Sequence, residues 1–344
     1  MIRRRGPSAP IPSVLIPSVL IPSVLIPPAS TPIATSRRQA LTTLAGTVLA
    51  SLANLAAAQA GDGRTAASAQ PVVETLAIGG AQIEVQFAPG FDPPLRTEAL
   101  AWVQRSAEAV AAYFGRFPVQ QVDLLLLPID GGGIRGGMAY AEPSMLIRVR
   151  VGRQTTRAQF LDDWILVHEM VHLAVPRIPD AQNWLHEGIA TYVESVARSH
   201  AGLVAPATVW HEWFRAMPQG QPRTGDAGLD HTPTWGRTYW GGAIFCLQAD
   251  VQLLTRSDRH AGLRQALQGV LAAGGNYNVA WPVERVLSAA DRAVGQTTLM
   301  ALYRGMKDSP EPAALDTLWR DLGVNGNSLS DDAPLAGVRR AILS

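Results

Sequence analysis

The chain has 344 residues, is 47% hydrophobic and carries a formal net charge of +1, enough apolar material for one large domain or two small ones. Five arginines and no acids fall in residues 1–60, which leaves 24 basic against 28 acidic residues and a net charge of −4 beyond them. That balance gives no basic surface for nucleic acid, and the single cysteine, Cys246, excludes an intrachain disulfide.

Residues 11–27 are built on a repeated Ile-Pro-Ser-Val-Leu unit whose proline density forbids a helix. Next come Ser36-Arg37-Arg38, a moderately apolar run from Leu41 to Ala58, and Ala58-Gln59-Ala60 before Gly61. Basic start, apolar centre and small-residue end read as a signal peptide, and the paired arginines resemble a twin-arginine export signal. The expectation is an exported chain, periplasmic or extracellular, held at a membrane only if the leader stays uncleaved. Residues 1–60 are the extension plus leader, 61–70 a polar linker, 71–200 an α+β lobe and 201–344 a helical lobe.

Val72–Leu76 and Gln82–Phe87 flank Gly79-Gly80 and predict a hairpin. Pro93-Pro94 opens a helix through Phe114, with Leu100, Val103, Ala107, Val110 and Phe114 on one face. Val122–Leu127 predicts a buried strand. Ser144–Val151 alternates apolar residues with Arg148 and Arg150 and reads as an edge strand.

Phe160 to Val175 is uninterrupted by Gly or Pro and predicts one apolar helix. It contains His168-Glu169-x-x-His172. Residues four apart share a helix face, so both imidazoles can bind one metal ion, and Glu169 beside them can take a proton from a metal-activated water. Burying such groups unpaired would be costly. Catalytic zinc takes three protein ligands and keeps one position open. A second predicted helix, Asn183-Trp184-Leu185-His186-Glu187-Gly188-Ile189-Ala190-Thr191-Tyr192-Val193-Glu194, supplies Glu187 as the third ligand of one Zn2+ per chain. Thr191 and Glu194, four and seven residues on, lie on the same face and are candidates to orient a ligand histidine.

This double motif resembles the gluzincin metallopeptidases, and most nearly the glycyl and membrane-alanyl aminopeptidase families. The resemblance implies a thermolysin-like zincin of the α+β class, with a small mixed sheet followed by a mainly helical lobe. It implies zinc-dependent hydrolysis of a peptide or protein substrate. Gly136, Gly137, Met138 and Ala139 match the families' substrate-binding segment; where those families place a Glu that recognises a free amino group, this chain has Ala139, with Glu142 nearby as a substitute. Thr238-Tyr239-Trp240-Gly241 resembles the families' Tyr-x-Lys-Gly, which gives Tyr239 the role of oxyanion donor and puts Gly241 where they have Lys. Asp230 and His231 lie in a Gly/Pro-broken loop, and a loop histidine near zinc is a second oxyanion candidate. Three readings stand: an active peptidase, either aminopeptidase or endopeptidase; a catalytically inactive zinc-binding or substrate-binding envelope protein of the same fold; and an envelope protein with fortuitous histidines.

Overall fold

The computed structural model describes residues 71–326 and 328–343, which fall in one compact unit, Ser68–Ser344. The predicted leader and linker, residues 1–70, lie outside the described residues.

The unit begins with a five-stranded mixed sheet and continues as helices. Strands β1 (Val72–Ile78) and β2 (Ala81–Phe87) form the predicted antiparallel hairpin. Its turn needs glycine: Gly79 and Gly80 have φ of 56° and 83°, and a Cβ on Gly79 would stand 2.7 Å from Ala111 Cβ. Helix α1 (Pro93–Phe114) starts where the Asp92 carboxylate accepts from the Leu95 N–H at 2.8 Å, and it ends at Gly115 with φ 79°. It crosses over so that β3 (Gln121–Ile129) lies parallel to β2. One sheet face carries Ile83, Val85, Leu124, Leu126, Ile147 and Val149, all fully buried. These pack in one core with Trp102, Val103 and Val110 of α1.

The sheet order β1-β2-β3-β5-β4 corrects one expectation. Strand β5 (Leu146–Gly152) is interior, between β3 and β4; the edge is β4 (Ile134–Tyr140), built from the Gly136–Ala139 segment itself. Arg148 and Arg150 are exposed because one face of the sheet is open, and an open face gives the same alternation as an edge.

The run from Phe160 is also not one helix. Thr156 and Gln159 form a reciprocal capping box that starts α2 (Arg157–Asp162). The chain then extends at Asp163, with ψ 138°. The Asp163 carboxylate accepts from the Leu166 N–H at 3.2 Å and the Trp102 indole at 3.1 Å, so α3 (Ile165–His172) begins afresh. Short polar side chains that bond the nearby backbone outcompete the continuous helix.

Helix α4 (Asn183–His200) packs on α3. The aromatic segment around Trp210 and Trp213 becomes α5 (Pro206–Ala216), with both indoles buried. A π-turn, Arg237–Gly241, runs into α6 (Gly242–Arg256), followed by α7 (Leu263–Ala272), α8 (Val283–Ala293), α9 (Thr298–Met306), α10 (Leu315–Leu322) and α11 (Ala336–Leu343). Among the described residues no helix is long and apolar enough to cross a membrane.

Candidate metal centre

Helix α3 presents His168 and His172 on one face, and α4 brings Glu187 against them. His168 Nε2 lies 3.2 Å and His172 Nε2 3.5 Å from the same oxygen, Glu187 Oε2. The ligand atoms of the three all lie within 4.8 Å of one another. Zinc bonds of ~2.1 Å in a tetrahedron put ligand atoms ~3.4 Å apart, so the two histidine-to-glutamate distances fit zinc, as does the donor chemistry. Burial alone would raise the Glu187 carboxyl; His172 and His168 instead hold it far below its usual range. Burial alone would lower His172, and Glu187 and Glu169 raise it.

Two glycine contacts bring the pieces together. Gly188 of α4 meets Gly242 of α6, and a Cβ on either would overlap the other's Cα or, for Gly242, the Trp184 carbonyl. This backbone-to-backbone crossing sets Glu187 beside Tyr239, which stands on the π-turn leading into α6. On the other side, a Cβ on Gly137 would stand 2.5 Å from Glu169 Cγ, so only glycine lets edge strand β4 press on the glutamate. Burial raises the Glu169 carboxyl, opposed by His172, His168 and the Ala139 N–H. Burial first, then Glu187 and Glu169, push the Tyr239 phenol well above its ordinary value.

Neither candidate ligand histidine has a carboxylate behind it: His168 Nδ1 and His172 Nδ1 are buried without a partner among the described residues. Rings hold them instead. Trp164 meets His168 edge-on at 5.6 Å, and Tyr239 stacks on it at 6.3 Å. His186 lies parallel to His172, 4.5 Å away with 3° between planes, and Tyr277 covers His186 at 5.3 Å. Burial, with the His172 charge, holds His186 down at about 3, so it stacks as a neutral ring.

Several expected site residues are placed elsewhere. Glu194 does not reach a ligand histidine: its oxygens take the Ser195 hydroxyl at 2.6 Å and Arg198 at 3.4 Å. Thr191 Oγ1 bonds no described group. The i+4 and i+7 spacings give the face of the helix but not the partner across it. His231 sits at the surface with its Nε2 2.8 Å from Asp308. Its neighbour Asp230 is a structural hub that accepts from Gln182, Trp184 and Tyr303. Glu142 is exposed and paired with Arg177 at 2.7 Å, so its charge is already matched. Along β4, Gly137 and Ala139 face Glu169. Met138, between them, points to the opposite sheet face with Arg148 as its register partner, and a Cβ on Gly136 would meet Arg150.

The sequence reading did not single out Trp164, His186, Trp235 or Tyr277. His186 was legible as the residue beside Glu187. Tyr277 carries no local signal: it arrives because its N–H donates to the Leu173 carbonyl, and Arg177 pairs with Val279 and Trp281 through the backbone.

No sequence-family profile matches the chain, and no curated protein sequence is similar to it. Solved structures are. An aminopeptidase N family protein from Idiomarina loihiensis superposes with a TM-score of 0.55 at 15% identity, over 74% of this chain and 49% of that one. A two-domain M1 zinc metallopeptidase bound to L-arginine gives 0.47 at 14% identity, over 71% and 54%. An M1 zinc metallopeptidase from Deinococcus radiodurans bound to a Tyr-Ser-Ala substrate gives 0.45 at 15% identity, over 71% and 54%. The first of these likenesses shows an α+β fold of the aminopeptidase N kind, and the chain spans about half the length of these structures.

Proposed function

We propose that the protein is a zinc-dependent peptidase. The observation that carries this reading is the convergence of His168, His172 and Glu187, whose ligand atoms lie within 4.8 Å of one another, with Glu169 pressed close by edge strand β4. His168, His172 and Glu187 would hold the metal, and when bound it supplies Lewis acidity toward the scissile carbonyl.

The chain's own residues do the rest. An extended substrate adds to the free side of β4, as peptides do at sheet edges. Glu169 takes a proton from the attacking water and returns it to the leaving amine; its raised affinity for protons suits both halves of that task. The Ala139 N–H orients the carboxylate. Tyr239 stays protonated and donates to the developing oxyanion. The same reading takes the chain as exported through its twin-arginine leader, so that protein recovered outside the cytoplasm begins near Gly61.

Hydrolysis of a mixed peptide library by the zinc-loaded chain tests the proposal. Glu169→Gln is expected to lose about 10²–10⁴-fold in kcat, the usual contribution of a positioned base, with zinc retained. Tyr239→Phe is expected to lose about 10²–10³-fold, the usual contribution of one oxyanion donor. Free and N-acetylated peptides read the mode of cleavage. No cleavage of any peptide by the zinc-loaded wild type would overturn the reading.

A further inference from the structure

Five large hydrophobic residues stand exposed among the described residues: Val73, Met138, Leu161, Trp164 and Trp235. Val73 and Met138 lie on the open side of the sheet, and Leu161 on the short helix α2. The two tryptophans are different, because both adjoin the metal centre. Trp164, 49% exposed, meets the ligand His168 edge-on at 5.6 Å. Trp235, 52% exposed, stacks on Tyr239 at 5.9 Å with 30° between planes. His168 and Tyr239 themselves lie 6.3 Å apart with 22° between planes. The four rings form one row across the centre, half-open at both ends and buried at the ligand histidine.

Each indole is fixed at its base. Trp164 is the residue from which α3 starts, directly after Asp163, whose carboxylate caps that helix. Trp235 begins the helical segment that carries Tyr239. Indoles held so firmly yet left half in water expose apolar area that a ligand can cover, and paired exposed aromatics beside a polar centre mark binding surface rather than core. Glu187 and Glu169 lie beside the Tyr239 phenol, at the middle of the row. Arg237, two residues beyond Trp235, is buried and bonded to the Gly220 carbonyl. Arg177 is matched by Glu142. A side chain lying over either indole therefore meets apolar surface. Successive side chains of an extended peptide point to opposite sides, so the two residues that flank one bond can each meet one of the two indoles.

We propose that the site selects peptides with large aromatic side chains on both sides of the bond at the metal, and that Trp164 and Trp235 are the residues that recognise them. This rests on the peptidase reading for the position of the bond, and it is tested by binding, apart from hydrolysis.

The probes are fluorescein-labelled Gly-Gly-Phe-Phe-Gly-Gly and its Ala-Ala and Asp-Asp counterparts. Their affinities are measured by anisotropy on the full zinc-loaded chain carrying Glu169→Gln, which holds peptide without turning it over. The Phe-Phe peptide is expected to bind about 10-fold or more tightly than Ala-Ala, the scale of two ring-on-ring contacts with their buried area. In the same background, at saturating zinc, Trp164→Ala and Trp235→Ala each remove most of that preference. Trp164→Phe and Trp235→Phe restore it. Equal binding of Phe-Phe and Ala-Ala, no detectable Phe-Phe binding, or a preference indifferent to both alanine substitutions overturns the proposal. Wild type that binds Phe-Phe selectively but cleaves nothing overturns the peptidase reading and leaves this one standing. Wild type that cleaves without preference overturns this one alone.

Discussion

At the scale of single residues, the two histidines of the centre are held by rings where a metal-ligating imidazole ordinarily leans on a carboxylate or carbonyl. His186 does this for His172, stacked nearly parallel at 4.5 Å. His186→Ala is expected to weaken zinc by roughly 10-fold, the lower end for lost outer-sphere support, and His186→Phe to keep most of the affinity. Competition with a chelating dye reads both; equal affinity in all three proteins would leave the stacking without a role. Glu194 gives a separate test. Burial, opposed by Arg198 and Ser195, raises its carboxyl from 4.5 to about 7. The folded state then binds more protons than the unfolded one between those values. Its stabilising contribution is full below pH ~4.5 and is lost as pH rises through about 7. Urea unfolding should show wild type losing about 2–3 kcal/mol across that window relative to Glu194→Gln. Parallel pH profiles would contradict this. The convergence of His168, His172 and Glu187 was readable in the sequence because both motifs are local and their helical spacing fixes a face. The partners of Glu194 and Thr191 were not, since what lies opposite a helix face is decided by tertiary packing.

At the scale of elements, the centre depends on two places where backbones touch. Gly188 and Gly242 let α4 and the start of α6 cross without side chains between them, which sets Glu187 and Tyr239 side by side. Gly188→Ala forces the helices apart and is expected to cost about 1–3 kcal/mol of stability, the usual toll of overpacking. Hydrolysis should fall further than stability, because Glu187 and Tyr239 separate. A variant with wild-type melting and turnover would show that the crossing tolerates a methyl group. These crossings explain why Gly188 and Gly137 occupy their positions, yet a glycine in a sequence does not say what it approaches. The same limit applied to β5, whose alternation identified a strand with one exposed face but not its place in the sheet. The break at Asp163 was hidden by a run of helix-compatible residues. Thr156 with Gln159 was the local signal of an earlier helix start.

At the scale of the whole molecule, the helical half builds one wall of the site. The segment 277–281 ties by backbone hydrogen bonds to Leu173 and Arg177, just beyond α3, and so carries Tyr277 over His186. Asp230 gathers the entry of α4 and the end of α9 through Gln182, Trp184 and Tyr303. Such links join segments from 46 to about a hundred residues apart and have no periodicity to announce them, so the fold class was legible where the wall was not. Whatever the substrate, the account stands on one metal held by three side chains. The direct measurement is zinc per chain by plasma mass spectrometry on protein purified without chelators, with Glu187→Ala beside it. One zinc per chain in wild type, lost or greatly weakened in the variant, is the expected result; wild type without zinc, or a variant that holds it equally well, would contradict the account.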